Sequence, residues 1–420
     1  MKILWFANTP CGATERLTGE KVTGGGWLSS LSEQIVQIPN IELHIAFYWG
    51  KPHNSFEHNG INYHPLLRSG DNSKLGRLVN RYKQVFCDTT LSRELPEMVK
   101  VIEFVRPDII HIHGSEENFG MIAKETLSCP VVLSIQGLLS PYLCKFYSGF
   151  SKSSIEKGEG IIRKILCNGI GLSERSMRKR ATMEREFIYL IPNIIGRTFW
   201  DKACSLTMNP SRRYFEVGEI LRNEFYGVRW NKKAFGKPLV LTSTISSGVY
   251  KGIETIFQTS SVLKKAGVDF VWNIIGLDKT DFLVGIAQKL TDCSAEELGI
   301  NLLGRKNAFQ MTELMKNADM FIQVSHIENS PNSLCEAMLL GMPIIATNVG
   351  GTSSMLENNV EGRLVQDGDP YVMAGVIMEM SNDFETAKEY GVKAAETAAL
   401  RHDKNHVCFQ LIEVYETLLK

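Results

Sequence analysis

The feature that most constrains the fold is an alternation of short apolar runs with longer amphipathic segments, which occurs twice along the chain. Short apolar runs predict buried strands, and apolar residues that recur every three or four positions predict helices. Strands separated by helices form right-handed βαβ units, which build parallel sheets. The pattern therefore predicts an α/β protein with two Rossmann-like domains that face each other across a cleft.

The predicted strands fall into two series. The first series comprises Lys2–Ala7, Ile41–Tyr48, Asp108–Ile112, Val131–Ile135 and Phe187–Ile191. The second comprises Leu239–Thr244, Phe270–Ile275, Ile300–Leu303, Met320–Val324, Pro343–Ala346 and Arg363–Val365. Ligands of such sheets bind at the carboxyl ends of the strands, so the loops that follow the strands are where we look for a site.

The length of 420 residues favours two domains, because single hydrophobic cores stop growing at about 250–300 residues. Residues 196–236 interrupt the alternation with a polar and aromatic stretch. We predict an N-terminal Rossmann-like domain at 1–195, a connection with an extra helical element at 196–236, and a C-terminal Rossmann-like domain at 237–401. The helix at 402–420 is expected to pack back on the first domain.

The charge balance argues against a nucleic-acid partner. Lys plus Arg number 46 and Asp plus Glu number 46, whereas nucleic-acid binders carry a basic excess. The nine cysteines are dispersed without a C-x-x-C pair, which is typical of reduced thiols. No window has the length of a membrane span, and the N-terminal apolar run stops at Asn8. We therefore expect a cytoplasmic protein, with the inner face of the membrane as an alternative location.

The segment Ile322–Gly351 carries the most chemical information. Ser330 suits the N-cap and Pro331 the first position of a helix that runs to Leu340, where Gly341 is suited to end it. The first amides of that helix have no intrahelical partners, so they form a ready anion site. The predicted donors are the amides of Asn332, Ser333 and Leu334.

Two glutamates accompany this helix. Glu336 lies inside it among apolar residues, and a buried carboxylate needs a partner, such as the hydroxyls of a ribose. Glu328 precedes it by eight residues, on a loop that could reach a sugar beside bound phosphates. The alternative is that both glutamates form structural salt bridges, and spacing alone leaves that alternative open.

Glu328, seven residues, Glu336, then Ala337-Met338, Gly341, Pro343 and Gly350-Gly351 resemble the signature of the retaining glycosyltransferases of family 4. The resemblance extends to Gly24–Gly26, to 107–113, 131–137 and 191–193, and to 249–256 and 361–370. It is strongest in the C-terminal half. The resemblance implies the GT-B fold and transfer of a hexose-type sugar from a nucleotide-diphosphate sugar with retention of anomeric configuration.

The resemblance also implies roles, residue by residue. Glu336 would hold the ribose hydroxyls, Glu328 the donor sugar, and Lys251 the diphosphate. The loop and helix start at Asn329, Ser330, Asn332, Ser333 and Leu334 would meet the diphosphate or sugar. Gly25 and Gly26 would admit the donor phosphate and Gly24 the acceptor, while Gly304 and Arg305 would lie near the base.

This chain departs from the family pattern at two places. Thr244 stands where members commonly carry an arginine that contacts phosphate, and it is assigned to the donor site. Gln136 stands where many members carry a histidine near the reacting carbon, and it is assigned a catalytic place with Lys251 and Glu328. A glutamine can hydrogen-bond a sugar hydroxyl but cannot exchange a proton at neutral pH.

Three weaker signals have structural explanations. His111 and His113 share one face of a strand, where structural or polar roles are favoured over a metal, and His113 is assigned to the acceptor side. Asp367 and Asp369 precede Pro370 and indicate a turn. The basic stretch Ser176–Arg180 indicates a solvated helix face, with contact to anionic lipid as an alternative.

We therefore expect a metal-independent enzyme without a cofactor, acting in surface polysaccharide synthesis. Its partners would be a UDP- or GDP-sugar donor and a sugar or lipid-linked sugar acceptor. Two alternatives stay open at this point. One is a GT-B-like sugar-nucleotide epimerase, and the other is a sugar-nucleotide-binding protein without catalysis, which the departures at Gln136 and Thr244 keep in play.

Overall fold

The computed structural model describes residues 1–19, 26–67, 76, 79, 82, 91–161, 163 and 169–420. The chain forms two compact units. Unit 1 comprises Met1–Cys144, Ile161–Ile220 and His402–Lys420. Unit 2 comprises Lys145–Gly160 and Leu221–Arg401. These ranges differ from the predicted ones, because 196–236 is divided between the units and Lys145–Gly160 belongs to unit 2.

Strands and helices alternate through both units. The strands are β1 Lys2–Ala7, β2 Glu42–Trp49, β3 Phe56–His58, β4 Ile61–Leu67, β5 Ile109–His113, β6 Val131–Ser134, β7 Asn193–Gly196, β8 Arg213–Glu216, β9 Leu239–Thr244, β10 Phe270–Ile275, β11 Ile300–Leu302, β12 Met320–Gln323, β13 Ile344–Thr347 and β14 Arg363–Val365. The helices are α1 Thr14–Thr18, α2 Gly26–Ile35, α3 Leu91–Val105, α4 Leu139–Cys144, α5 Lys152–Gly158, α6 Ile170–Leu190, α7 Phe199–Met208, α8 Ile253–Lys265, α9 Phe282–Thr291, α10 Ala308–Asn317, α11 Asn332–Leu340, α12 Pro370–Ser381, α13 Phe384–Arg401 and α14 Lys404–Leu419.

The sheet of unit 1 has the order β3-β4-β2-β1-β5-β6-β7-β8. All neighbours pair in parallel except β3 and β4, which form an antiparallel pair at the edge. The strand order reverses direction between β1 and β5, which are buried along almost their whole length. This reversal is the topological switch point, where ligands of open α/β sheets bind.

The C-terminal helix α14 belongs to unit 1 and supplies part of its core. Tyr415 is fully buried, and its hydroxyl accepts a hydrogen bond of 3.0 Å from the indole nitrogen of Trp5. The same hydroxyl lies 2.6 Å from Nδ1 of His111, whose Nε2 lies 2.6 Å from the hydroxyl of Ser134. Because an indole nitrogen can only donate, the tyrosine proton is available for His111. One chain of hydrogen bonds therefore ties α14 to β1, β5 and β6.

The sheet of unit 2 has the order β11-β10-β9-β12-β13-β14, and every neighbouring pair is parallel. Its switch point lies between β9 and β12. The predicted α/β fold with parallel sheets is confirmed. Among the described residues, no helix is long and apolar enough to cross a membrane.

One predicted strand is wrong. Phe187–Ile191 was expected to be a strand, but Phe187 and Ile188 lie in the last turns of α6. The buried residues of that helix include Met177, Ala181 and Glu184, at spacings of four and three, so the apolar run is the end of an amphipathic stripe. The seventh strand follows instead at Asn193–Gly196. A short apolar run does not distinguish a strand from a buried helix end.

Candidate functional site

In unit 2, the two strands at the switch point are each followed by a charged residue of the predicted site. Lys251 ends a short 3-10 turn after β9, and Glu328 lies in the loop after β12. Lys251 Nζ lies 2.5 Å from Glu328 Oε1, and Ser325 Oγ donates to the same oxygen over 2.8 Å. Burial lowers the pKa of Lys251, but the Glu328 carboxylate outweighs burial and the pKa is raised. Lys251 therefore stays a cation at this point of the sheet.

Two glycines allow the backbone to hold this pair. Gly252 adopts a left-handed conformation with φ of 80°, and a Cβ on it would lie 2.2 Å from the carbonyl oxygen of Val324. Gly350 has φ of 51°, and a Cβ there would lie 1.9 Å from the carbonyl oxygen of Glu328. No other residue fits either position without moving the loop that carries Glu328.

The helix α11 begins one residue later than predicted. Pro331 is its N-cap with an extended backbone, and the helix starts at Asn332. The amide of Leu334 donates to the carbonyl of Pro331 over 2.9 Å, so its predicted place among the free amides is wrong. The amides of Asn332 and Ser333 have no hydrogen-bond partner in the part of the chain that the structure describes. These two amides, at the positive end of the helix dipole, can receive an anion.

Glu336 is 1% exposed on α11, and its carboxylate is paired with a residue that the sequence analysis did not identify. Arg222 Nε and Nη2 each donate to one carboxylate oxygen over 2.6 Å, which is a bidentate pair. The structural salt bridge named above as an alternative is therefore present. A carboxylate has about four acceptor positions, which is more than the two that this pair occupies. The ribose role of Glu336 stays a prediction.

The other residues of unit 2 predicted for the donor side lie at the end of β9 or in the loops after β11 and β12. Thr244 ends β9, and its Oγ1 is buried with no hydrogen-bond partner among the described residues. Gly304 follows β11 with φ of 65° and donates from its amide to the carbonyl of Leu277 over 2.8 Å. Arg305 next to it is exposed. Asn329 is buried and Ser330 half-buried in the loop after Glu328.

The two aspartates near the end of β14 have structural partners. Asp369 caps α12 by accepting hydrogen bonds from the amides of Tyr371 and Val372. Asp367 Oδ2 lies 3.1 Å from Nζ of Lys145 and 3.1 Å from Nδ1 of His326. These contacts are those of a turn and a helix cap.

Unit 1 holds the residues assigned to the acceptor side, together with Gln136. His113 ends β5 and is fully buried, with ring centroids 4.4 Å from Trp5 and 5.9 Å from Trp27. Neither ring nitrogen of His113 has a hydrogen-bond partner among the described residues. Burial, His111 and Arg197 hold the pKa of His113 well below its usual range, so the ring is neutral. The assignment of His113 to the acceptor side stays a prediction.

Gln136 lies two residues after β6 and is half-buried. A Cβ on Gly114 would lie 3.4 Å from its side-chain carbonyl carbon. Gly26 opens α2 with φ of 67°. Gly24 and Gly25 lie outside the described residues.

Sequence reasoning did not identify two charged residues with buried contacts or atoms. Arg222, the partner of Glu336, lies in the stretch taken as a connection, where no periodicity signals a site. Glu116 lies in the loop after β5 and has a buried carboxyl oxygen without a hydrogen-bond partner among the described residues. It could have been found, because polar residues that follow a strand beside the switch point are candidates by position.

Comparison with known proteins gives a family match over part of the chain. Residues 229–397, fewer than half of the chain, match the family described as Glycosyl transferases group 1. Over 194 residues the chain is 26% identical to the amylovoran biosynthesis glycosyltransferase AmsK of Erwinia amylovora, covering 44% of this chain and 47% of that protein. The aligned part spans about half the length of the first curated relatives that the chain matches.

Two solved structures share the fold of the whole chain. Sucrose-phosphate synthase from Thermosynechococcus elongatus superposes with a TM-score of 0.72 at 14% identity, covering 100% of this chain and 99% of that one. Anabaena HepE in complex with UDP-glucose superposes with a TM-score of 0.66 at 15% identity, covering 99% and 100%. The fold class therefore matches that of GT-B glycosyltransferase structures.

Proposed function

We propose that this chain, with its glycosyl transferases group 1 domain, is a retaining glycosyltransferase. It moves a hexose-type sugar from a nucleotide-diphosphate sugar to a sugar or lipid-linked sugar acceptor. The observation that carries the proposal is the Lys251–Glu328 pair at the switch point of unit 2, within the matched region. A cation and a hydrogen-bonding carboxylate at the carboxyl ends of two central strands suit a diphosphate and the sugar attached to it.

The donor side would act electrostatically. As the bond between the anomeric carbon and the phosphate oxygen breaks, negative charge grows on the departing diphosphate. Lys251 and the amides of Asn332 and Ser333 are fixed donors that stabilise this charge. The acceptor oxygen would bond to the anomeric carbon from the face that the diphosphate leaves, and a phosphate oxygen would take the acceptor's proton.

The two glutamates would bind the other parts of the donor, namely its sugar and its ribose. Glu328 would accept a hydrogen bond from a hydroxyl of the sugar, while its ion pair keeps Lys251 beside the phosphates. Glu336 would accept from the ribose hydroxyls while Arg222 balances its charge. Gln136 and Thr244 would contribute hydrogen bonds where related enzymes use a histidine and an arginine. The acceptor would bind unit 1, which carries His113.

The similar proteins support this choice of substrates without fixing them. AmsK is a glycosyltransferase of amylovoran biosynthesis, and we propose surface polysaccharide synthesis for this chain as well. HepE was solved with UDP-glucose, which makes a UDP-sugar the first donor to test, with a GDP-sugar as the alternative.

A thermal-shift screen with UDP, GDP and ADP, followed by transfer assays with the matching sugar nucleotides, tests the proposal. Lys251→Ala should cost about 2–4 kcal/mol of transition-state stabilisation, the scale of losing one preorganised donor, and kcat should fall by the corresponding factor. Lys279→Ala is the control, because Lys279 is an exposed lysine of the same unit. Equal activity of the two variants would remove Lys251 from the site.

Metal independence follows from the same arrangement. Because Lys251 and the helix amides supply the positive charge, transfer should persist in excess EDTA. Loss of turnover with the chelator, restored by magnesium or manganese, would contradict the mechanism.

A non-catalytic sugar-nucleotide-binding protein is the second candidate. The glutamine at Gln136 favours it, because glutamine cannot exchange a proton. Nucleotide binding without transfer to any acceptor, and without slow hydrolysis of the donor, would support this candidate against the first.

A further inference from the structure

The switch point of unit 1 has its own cluster of polar side chains. Asn8 follows β1, Gln136 follows β6, and Glu116 lies three residues beyond β5. Ligands of parallel sheets bind where the strand order reverses, and here that place lies between β1 and β5. Glu116 is the carboxylic acid of this cluster.

Glu116 Oε2 is buried and has no hydrogen-bond partner among the described residues. Two glycines make the room that the carboxyl group occupies. A Cβ on Gly114 would lie 2.3 Å from Glu116 Oε2, and a Cβ on Gly137 would lie 3.3 Å from Glu116 Oε1. The same Cβ on Gly114 would lie 3.2 Å from the side-chain amide nitrogen of Asn8 and 3.4 Å from the side-chain carbonyl carbon of Gln136. The carboxyl group therefore lies in a small polar enclosure at the strand ends.

A second buried glutamate nearby has the hydrogen bonds expected of a carboxylate with a structural role. Glu184 of α6 accepts hydrogen bonds from the hydroxyl of Ser115 and from the amides of Leu139 and Ser140. These bonds occupy both of its oxygens. A buried carboxyl oxygen without such partners costs free energy that a ligand can recover.

The charged groups that face Glu116 come from several elements. The pKa of Glu116 is raised to about 7, chiefly by burial and also by the nearby Glu184 and Glu117, while a hydrogen bond to its own backbone and Arg180 of α6 act in the opposite direction. The hydroxyl of Tyr142, on α4, borders the same enclosure at Gly137. Near neutral pH, the carboxyl group exchanges between a neutral and an ionised form.

We propose that Glu116 binds a hydroxyl group of the acceptor, which is a neutral sugar or polyol at this end of the molecule. The proposal rests on the proposed function, because it identifies the acceptor-binding residue of that enzyme. A hydroxyl group can donate to the free carboxyl oxygen, whereas a phosphate would be repelled by it. Any phosphate of a lipid-linked acceptor would then lie away from Glu116.

Ligand-observed saturation-transfer NMR with glucose, galactose, mannose and N-acetylglucosamine tests binding directly. At least one of these sugars should bind the wild-type protein, and Glu116→Gln should weaken that binding about ten-fold, as expected for a lost hydrogen bond to a charged group. Glu125→Gln is the matched control, because Glu125 is an exposed glutamate on the same connection to β6. Binding of all four sugars by Glu116→Gln with wild-type affinity, or no binding by the wild-type protein, would overturn the proposal.

The pH dependence separates ligand contact from a structural role. Sugar affinity of the wild-type protein should rise between pH 6 and pH 8, as Glu116 ionises, and Glu116→Gln should show no such rise. A purely structural Glu116 would change thermal stability without this pH-dependent affinity. Transfer from UDP- and GDP-sugars is measured separately, so a protein that transfers sugar from neither but still binds sugar through Glu116 would contradict the proposed function and not this inference.

Discussion

Arg222 and Glu336 form a pair in which one partner is almost fully buried, and the pair should contribute strongly to stability. Glu336 is 1% exposed, so removing its cation leaves a buried charge without compensation. Arg222→Met should lower the free energy of unfolding by about 3–5 kcal/mol, measured by urea denaturation. The double variant Arg222→Met with Glu336→Met should lose much less than the sum of the two single changes. Additive losses would mean that the two side chains do not interact.

Glu336 should also affect nucleotide binding. Glu336→Gln keeps the shape of the side chain but loses the charge-assisted hydrogen bonds proposed for the ribose. We expect nucleotide affinity to fall about ten-fold or more, measured by calorimetry with the nucleotide that stabilises the wild type. The same change weakens the contact with Arg222, so the assay is run well below the melting temperature of the variant. Unchanged affinity would leave Glu336 with a purely structural role.

At the residue scale, Glu328 and Glu336 were selected because they lie in a segment that resembles a family signature, and their roles in binding stay predictions. The partner of Glu336 could not be predicted. Arg222 lies 114 residues earlier in the chain, in a stretch without periodicity. Pairing between side chains so distant in sequence depends on the folded path of the chain.

The position of the loop after β12 depends on Gly350, which lies against that loop. Gly350 is left-handed, and its missing side chain admits the carbonyl of Glu328, whose oxygen also accepts a bond of 2.9 Å from the amide of Gly351. Gly350→Ala should cost more than about 2 kcal/mol of stability and weaken donor binding as the loop moves. Gly285→Ala is the control, because Gly285 lies within α9 with open space around it and should gain up to about 1 kcal/mol. Similar thermal denaturation of the two variants would contradict this account.

A buried histidine connects three elements of unit 2 and should make stability depend on pH. His326 Nε2 lies 2.6 Å from Glu254 of α8, and Nδ1 lies 3.1 Å from Asp367, which also pairs with Lys145. Burial lowers the pKa of His326, but the two carboxylates outweigh burial and the pKa is raised above its usual 6.5. The stabilisation is therefore complete below pH 6.5 and is lost as the pH rises through the raised value.

Unfolding measured from pH 5 to pH 9 tests this expectation. The stability difference between wild type and His326→Gln should shrink as the pH rises. A constant difference across that range would mean that the histidine is not charged in the folded protein.

At the element scale, buried strands inside the sheets were predicted better than strands at their edges. The strands Lys2–Ala7, Leu239–Thr244 and Phe270–Ile275 have the predicted bounds. The edge strands β3 and β8 were not predicted, because three or four half-exposed residues carry too little apolar pattern to stand out from a loop.

At the scale of the whole molecule, the chain passes between the two units four times, at 144/145, 160/161, 220/221 and 401/402. Composition and periodicity could suggest two domains but could not assign Lys145–Gly160 to unit 2. That assignment depends on contacts such as Gly158 against Ile286, where a Cβ would lie 2.5 Å from the isoleucine side chain. The predicted domains are continuous stretches of sequence, whereas each unit is built from separate stretches.

Tyr415 should stabilise unit 1 although it lies 410 residues from Trp5. Tyr415→Phe removes the hydroxyl and leaves the indole nitrogen of Trp5 and Nδ1 of His111 without their partner. The free energy of unfolding should fall by about 1–3 kcal/mol, followed by tryptophan fluorescence. Phe409→Ala, at an exposed position of the same helix, should change it by less than about 0.5 kcal/mol. Equal effects of the two changes would contradict a buried hydrogen-bonding role.

The hydrogen bonds of Tyr415 also bear on how the chain reaches its structure during synthesis. Domains of a nascent chain usually fold in order, the N-terminal one first, while the ribosome is still adding residues. Here β1 and β5 are made early but obtain the partner of Trp5 and His111 only when residue 415 has been added. Unit 2 has all of its residues by Arg401, before that point. The half of the molecule that is synthesised first is therefore the half that completes its core last.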